Sequence, residues 1–328
     1  MSSRPNPSGT LPALPPPHPP APRPRAARRP HARGLGRRVD EASPQLYFLV
    51  SAAFHYLGPS FAVLLFARLP VLGVAWLRIA SAAVIFAAWR RPWRLVASLD
   101  RDGQRLLLAW GAALGVMNCC FYTAISRLPL GTVAAIEFLP VVALAAAGAR
   151  STLNIGALGL AVGGVYLLSD VELGAHLVGL IFAFANAILF AAYIVLADRV
   201  AKHPAISGID GLALAMLVAA VIVTPIGGWR VAHAFTDPVV LLAGIGVGVS
   251  SSVIPYVTDQ LALARLPRAT YALMVSLLPA IATVIGIVVL AQLPTLQQVA
   301  GVLLVTGGVA LHREPVPSQP RPPETSAP

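Results

Sequence analysis

Pro129-Leu130-Gly131-Thr132-Val133-Ala134-Ala135-Ile136-Glu137-Phe138-Leu139-Pro140 opens a run that stays apolar to Gly148 and holds one carboxylate, Glu137. Roughly 20 apolar residues suffice for a helix to cross a bilayer. At about 1.5 Å per residue, Glu137 falls roughly 12 Å from the Pro129 end, near mid-membrane. An ionisable group at that depth is expensive and marks a functional site by default. Three residues on, Pro140 has no N–H to give the carbonyl of Ile136, next to the glutamate. A buried glutamate satisfied by an internal partner is the plainer alternative.

The whole chain has the same character. Of 328 residues, 57% are hydrophobic and 11% charged, against about 25% charged in soluble domains. The net charge of +11 raises the question of nucleic acid, but its placement answers it. Eight of the 24 basic residues are arginines within the first 44 positions, and most others occupy short breaks between apolar spans. That distribution belongs to a membrane protein, with the lipid bilayer as partner and no nucleic acid. The only cysteines, Cys119 and Cys120, are adjacent inside an apolar run. They make no disulfide framework and no metal spacing, and no cofactor is implied.

Residues 1–44, rich in Pro and Arg, are too poor in apolar side chains to fold, and are expected to be a disordered tail, as are 313–328. Ten apolar spans lie between: 46–66, 71–89, 106–126, 129–148, 153–169, 177–197, 208–229, 239–263, 269–291 and 296–312. With the N-terminus inside, the internal loops carry ten Lys/Arg (Arg90, Arg91, Arg94, Arg101, Arg105, Arg150, Arg199, Lys202, Arg265, Arg268), and the external loops three, Arg68, Arg127 and Arg230. The external 170–176 turn has Asp170 and Glu172 and no Lys or Arg. The positive-inside rule therefore puts both termini, including Arg313 and Arg321, in the cytoplasm.

An internal repeat divides the spans. Ala124-Ile125-Ser126-Arg127-Leu128-Pro129 matches Ala262-Leu263-Ala264-Arg265-Leu266-Pro267, Pro140 matches Pro279, and Gly163-Gly164-Val165 matches Gly307-Gly308-Val309, at a period of about 140 residues. Five spans per copy, over 45–169 and 177–312, force the second copy to be inverted. The expected fold is an all-α integral membrane protein of ten transmembrane helices in two inverted five-helix repeats, an architecture of secondary transporters.

Within the spans, the glycine pairs Gly111/Gly115, Gly159/Gly163 and Gly244/Gly248 are expected to let helices approach closely. Polar residues fall at helical spacing: Ser51/His55, Asn118/Tyr122, Asn186/Tyr193 and Ser252/Tyr256/Asp259. Asp259 lies near the inner end of its span, where it can simply face the cytoplasmic interface. Arg78 sits at nearly the depth of Glu137. Either the two pair, which holds Glu137 ionised, or Glu137 stands alone and can take up and release a proton. The sequence leaves both open. An intramembrane enzyme would need a nucleophile with its base, or clustered metal ligands, and the spans offer neither.

Leu77-Arg78-Ile79-Ala80, Pro92-Trp93-Arg94, Met117-Asn118, Phe121-Tyr122, Pro129-Leu130-Gly131, Glu137-Phe138, Pro255-Tyr256 and Ala264-Arg265-Leu266-Pro267 together resemble the EamA-type transporters of the drug/metabolite transporter superfamily. Within it the chain looks closest to the bacterial threonine/homoserine exporter branch. The resemblance implies a multi-pass carrier of the bacterial inner membrane that exports small metabolites, such as neutral amino acids, by proton exchange and alternating access. Where the family has glutamates, this chain reads Leu278-Pro279 and Ala291-Gln292, and Asp259 stands where the exporter branch has Glu. The expected substrate site is Arg78, Asn118, Tyr122, Glu137, Asn186, Tyr193 and Tyr256, with Glu137 coupling protons. The alternative is a broader efflux carrier for apolar or cationic molecules, held by Glu137 and the aromatic rings.

Overall fold

The computed structural model describes residues 44–148, 151–173, 176–263, 265–266 and 268–311. Apart from Pro44, the expected tails lie outside the described residues, as do Arg150, Arg313, Arg321 and the side chains of Asp170, Glu172 and Arg268. The described chain is all helix: α1 (Pro44–Leu65), α2 (Val71–Arg90), the short α3 (Trp93–Ser98), α4 (Arg101–Ile125), α5 (Leu130–Gly148), α6 (Thr152–Leu173), α7 (Leu177–Ala201) and α8 (Gly208–Gly227). After a 3₁₀ segment, Gly228–Phe235, come α9 (Pro238–Gly248), a π-helical turn (Val249–Val253), α10 (Ile254–Leu263), α11 (Arg268–Val275), α12 (Leu278–Leu290) and α13 (Leu296–Leu311).

Seven helical stretches are long and apolar enough to cross a membrane, the π-turn lying inside one of them, Pro238–Asp259. The apolar stretches Leu130–Ala143, Leu278–Leu290 and Leu296–Leu311 are shorter. Outward faces carry exposed Val84, Ile188, Val221, Leu242 and Val288, a surface that only lipid solvates favourably. Trp89, Trp93 and Trp229 stand exposed at helix ends, the level where amphipathic rings meet lipid headgroups. This is a multi-pass membrane protein.

Polar groups finish the helices and tie their ends together. Asp100 caps α4 by accepting from Gly103 N at 2.9 Å, and Asp237 caps α9 just ahead of Pro238. At one end of the bundle, Arg90 Nε donates to Asp210 Oδ1 at 2.7 Å, and His203 Nε2 lies 3.7 Å from Asp100 Oδ1. The connections after α2 and after α7 therefore share a face. At the other end, Leu130 N donates to Gln292 Oε1 at 3.1 Å, and the α8–α9 connection closes on the start of α2, Val231 against Gly73.

The two matching prolines act differently. Pro279 cannot donate to Val275, and α11 stops there, with α12 restarting at Leu278. Pro140 leaves Ile136 without its usual donor, yet α5 runs through it.

Helix contacts use small residues, though not all those expected. Gly111 and Gly115 of α4 meet α8 at Ala215, Val218 and Ala219, and Gly244 and Gly248 of α9 meet α2 at Leu77 and Ser81. Gly159 and Gly163 face open space: a methyl group added at either would find nothing within 4 Å. The α6–α13 contact runs instead through Gly164, whose Cβ would stand 2.6 Å from the Gly301 carbonyl oxygen, and through Gly308 against Ala157. The spacing found the helix but chose the neighbouring face. Gly164→Ala is expected to destabilise the protein by about 1–3 kcal/mol through overpacking. Gly163→Ala should leave stability unchanged or slightly raised, since it adds helix propensity in free space. Thermal unfolding of the two purified variants in detergent checks the contrast.

Candidate functional site

The site is built around an interrupted helix. Pro255 has no N–H, so the carbonyl of Ser251, four residues earlier, loses its normal partner. The backbone there widens into the π-turn Val249–Val253, a form often found at functional positions. Arg78 of α2 supplies the missing donor: its Nη2 reaches Ser251 O at 3.0 Å and its Nε reaches Ser252 Oγ at 3.1 Å. On the next turn, Ser51 Oγ of α1 donates to the carbonyl of Pro255 at 3.1 Å. Three helices thus meet where one is broken.

Beside this junction lies a cavity of 410 Å³. Arg78, Asn118, Glu137, Asn186, Tyr193 and Tyr256 line it, so six of the seven residues expected at the site share one cavity. Tyr122 is fully buried behind it, and the Arg78 guanidinium lies over its ring, 5.4 Å from the centroid. Asn118 is held by its own helix, Nδ2 donating to Leu114 O at 2.8 Å. Phe138, Phe190 and Tyr193 form an aromatic side, the last two rings stacked at 6.3 Å.

Arg78 and Glu137 do not pair: no ion pair joins them among the described residues, although both line the cavity. The guanidinium is turned to the π-turn, with two of its five N–H donors engaged there. The polar neighbour of Glu137 is the carboxamide of Asn186, which completes no hydrogen bond of ordinary geometry. A cation and a carboxyl group are thus presented separately to one enclosed space. That arrangement can receive a small molecule bearing both charges, or a cation and a proton in turn.

The cavity also includes residues not expected at the site. Phe48, Ser51 and His55 of α1, Asp259 of α10 and Tyr271 of α11 line it as well. Asp259 therefore faces the cavity wall rather than an outer surface. Asp259 shares a helical face with Tyr256, and Ser51 and His55 share one on α1; that spacing singles them out in the sequence. Nothing in the sequence around Tyr271 marks it.

An all-helical membrane body with a largely apolar cavity that holds a few charged and polar groups is the construction of a small-molecule carrier. Residues 177–313 match the EamA-like transporter family. The threonine/homoserine exporter RhtA of Salmonella typhimurium is 32% identical over 294 residues, 86% of this chain and 97% of that protein. RhtA of Escherichia coli K12 is 34% identical over 255 residues, 76% of this chain and 84% of that protein. The chain belongs to the EamA-like transporter family. It is a transporter by family, not an enzyme. One solved crystal structure, 19% identical, superposes with a TM-score of 0.51 over 82% of this chain and 98% of its own, which shows a common fold.

If Arg78 serves the carbonyl that Pro255 leaves open, returning an N–H at position 255 should relieve it. The destabilisation caused by Arg78→Ala is expected to shrink by about 1 kcal/mol in a Pro255→Ala background. A double-mutant cycle on unfolding of the purified protein measures this coupling; strict additivity would disprove the link.

Proposed function

We propose that the protein is a secondary-active exporter of the bacterial inner membrane that carries small neutral amino acids, such as threonine or homoserine, in exchange for protons. The observation that carries this reading is the unpaired presentation of Arg78 and Glu137 to one cavity. A neutral amino acid is a zwitterion. The remaining guanidinium donors suit its carboxylate, since arginine binds carboxylates through two parallel bonds. Glu137, buried and without a cationic partner, suits the proton. Asn118, Asn186, Tyr193 and Tyr256 supply hydrogen bonds for the hydroxyl and ammonium groups. The names of the relatives point the same way.

Helix packing supports two inverted repeats of five spans in a ten-span bundle. Exchanging the halves exchanges α1 with α7, α2 with α8, α4 with α9–α10, α5 with α11–α12 and α6 with α13. Under that exchange the α4–α7 contact becomes α1–α10, α4–α8 becomes α2–α9, and α5–α7 becomes α1–α12, and every one of these contacts is made. The pairs α2–α8, α5–α12 and α6–α13 map onto themselves, and they too are in contact. The face that joins α2 to α4 and α7 to α8 carries the dense arginines, so the positive-inside rule assigns it to the cytoplasm, with both termini. The cavity residues Phe48, Asp259 and Tyr271 lie toward that face. The opposite ends are sealed by buried Leu65, Leu69, Leu128, Leu130 and Val231. This is the inward-facing state of an alternating-access cycle in which the halves rock about the site.

Labelled threonine and homoserine efflux from proteoliposomes, with and without a proton gradient, tests the reading. Gradient-driven flux is expected, falling to background in Glu137→Gln while membrane insertion is kept; flux that responds unchanged to both gradient directions would remove Glu137 from coupling. Arg78→Lys should raise the amino-acid KM sharply, because a point charge cannot replace the fork. Absence of flux for either amino acid from correctly inserted protein would overturn the substrate assignment and favour efflux of apolar cations.

A further inference from the structure

The cavity holds a second carboxylate that the transport reading has not used. Asp259 lines it together with Ser51, Tyr271 and Phe48. On α10 it follows Tyr256 by three residues, on the same face and about 4.5 Å nearer the helix end. From Ser251, where Arg78 is anchored, it is eight residues away, about 12 Å along the span. The charged groups of an α-amino acid sit on one carbon and cannot bridge that distance. Asp259 is therefore no part of an Arg78 clamp.

Among the described residues no ion pair includes Asp259. Ser51 and Tyr271 are its polar neighbours, but the single hydroxyl hydrogen of Ser51 already goes to the carbonyl of Pro255 at 3.1 Å. The Tyr271 hydroxyl remains as a donor, against about four acceptor positions on a carboxylate. Phe48 and Tyr271 meet edge to face, with centroids 5.4 Å apart, and place aromatic surface beside the charge. A carboxylate with spare acceptors next to ring faces is a site for an organic ammonium group.

We propose that Asp259, Tyr271 and Ser51 form a second subsite, at the cytoplasmic mouth of the cavity, that binds the ammonium group of the substrate before its carboxylate reaches Arg78. The inference rests on the amino-acid transport reading for the substrate, and on geometry alone for the cation site. It also gives two stations to a cavity that is large for one small amino acid: 410 Å³ lies within the range of about 300–1,000 Å³ that accommodates drug-sized ligands.

The probe is 1-amino-2-propanol, which is threonine without its carboxyl group. It should raise the unfolding temperature of the purified full-length protein and inhibit threonine efflux. Asp259→Asn is expected to weaken both effects by about tenfold or more, the loss of a charge-assisted contact. Asp259→Glu should restore them, and Glu137→Gln should retain the stabilisation. Stabilisation that survives Asp259→Asn, or that disappears in Glu137→Gln, would overturn the proposal by placing the amine elsewhere. So would an Asp259→Asn variant that alters only the proton dependence of flux. The binding readout does not need transport: stabilisation that follows Asp259 in a protein without threonine flux would uphold the cation subsite and sink the substrate assignment alone.

Discussion

The structure turns on a backbone carbonyl whose α-helical donor position is taken by a proline. Within a bilayer no water is at hand for a free C=O, and such groups persist only where protein or a cavity serves them. Pro255 frees the carbonyl of Ser251, and Arg78 reaches it from a neighbouring helix at 3.0 Å. One contact thereby solves two problems. A lone guanidinium in the membrane interior costs far more than a lone carbonyl, and the contact relieves both. It also fixes α2 against the π-turn, with Gly248 letting the backbones meet at Ser81 and Arg78.

The same contact explains why Arg78 and Glu137 remain apart. A direct ion pair would consume both charges and leave neither to a substrate. Anchoring the guanidinium to uncharged oxygens keeps its positive charge undiminished while holding its position. Glu137, on α5, faces the same space beside the Asn186 carboxamide. On the proposed reading, the substrate carboxylate completes the coordination that the serines begin, and Glu137 stays available to a proton. The aromatic side through Phe138, Phe190 and Tyr193 then packs against the apolar part of the substrate.

Much of this arrangement was legible in the sequence because lipid imposes simple rules. Apolar runs had to be helices, and polar residues on one helical face had to look inward; Arg78, Asn118, Glu137, Asn186, Tyr193 and Tyr256 all do. What the sequence lacked was partnership. Periodicity tells which face a residue is on, not which helix meets that face. It offered Glu137 as a partner for Arg78, but the choice depended on a carbonyl freed in a span 173 residues away. It offered Gly159 and Gly163 for packing, but the neighbouring Gly164 makes the contact, since adjacent residues differ by about 100° around a helix. Tyr271 was invisible for a third reason: a solitary tyrosine after a loop has no pattern to join.

On the proposed division into two repeats, the halves are alike in packing and unlike in chemistry. The first contributes Arg78, Asn118 and Glu137 from α2, α4 and α5, helices that remain continuous through the cavity, even at Pro140. The second contributes the π-turn, Pro255 and the α11–α12 break at Pro279, together with Asp259 and Tyr271. If the halves rock against each other, the regular half carries Arg78 and Glu137 and the irregular half must absorb the movement. Broken segments suit that task because they have fewer internal hydrogen bonds to lose. The Arg78–Ser251 contact crosses between the halves, so it is the interaction on which such a motion would act first. A substrate carboxylate drawing on the same guanidinium would then compete with the contact that holds the two halves in register, which gives binding a direct route to movement.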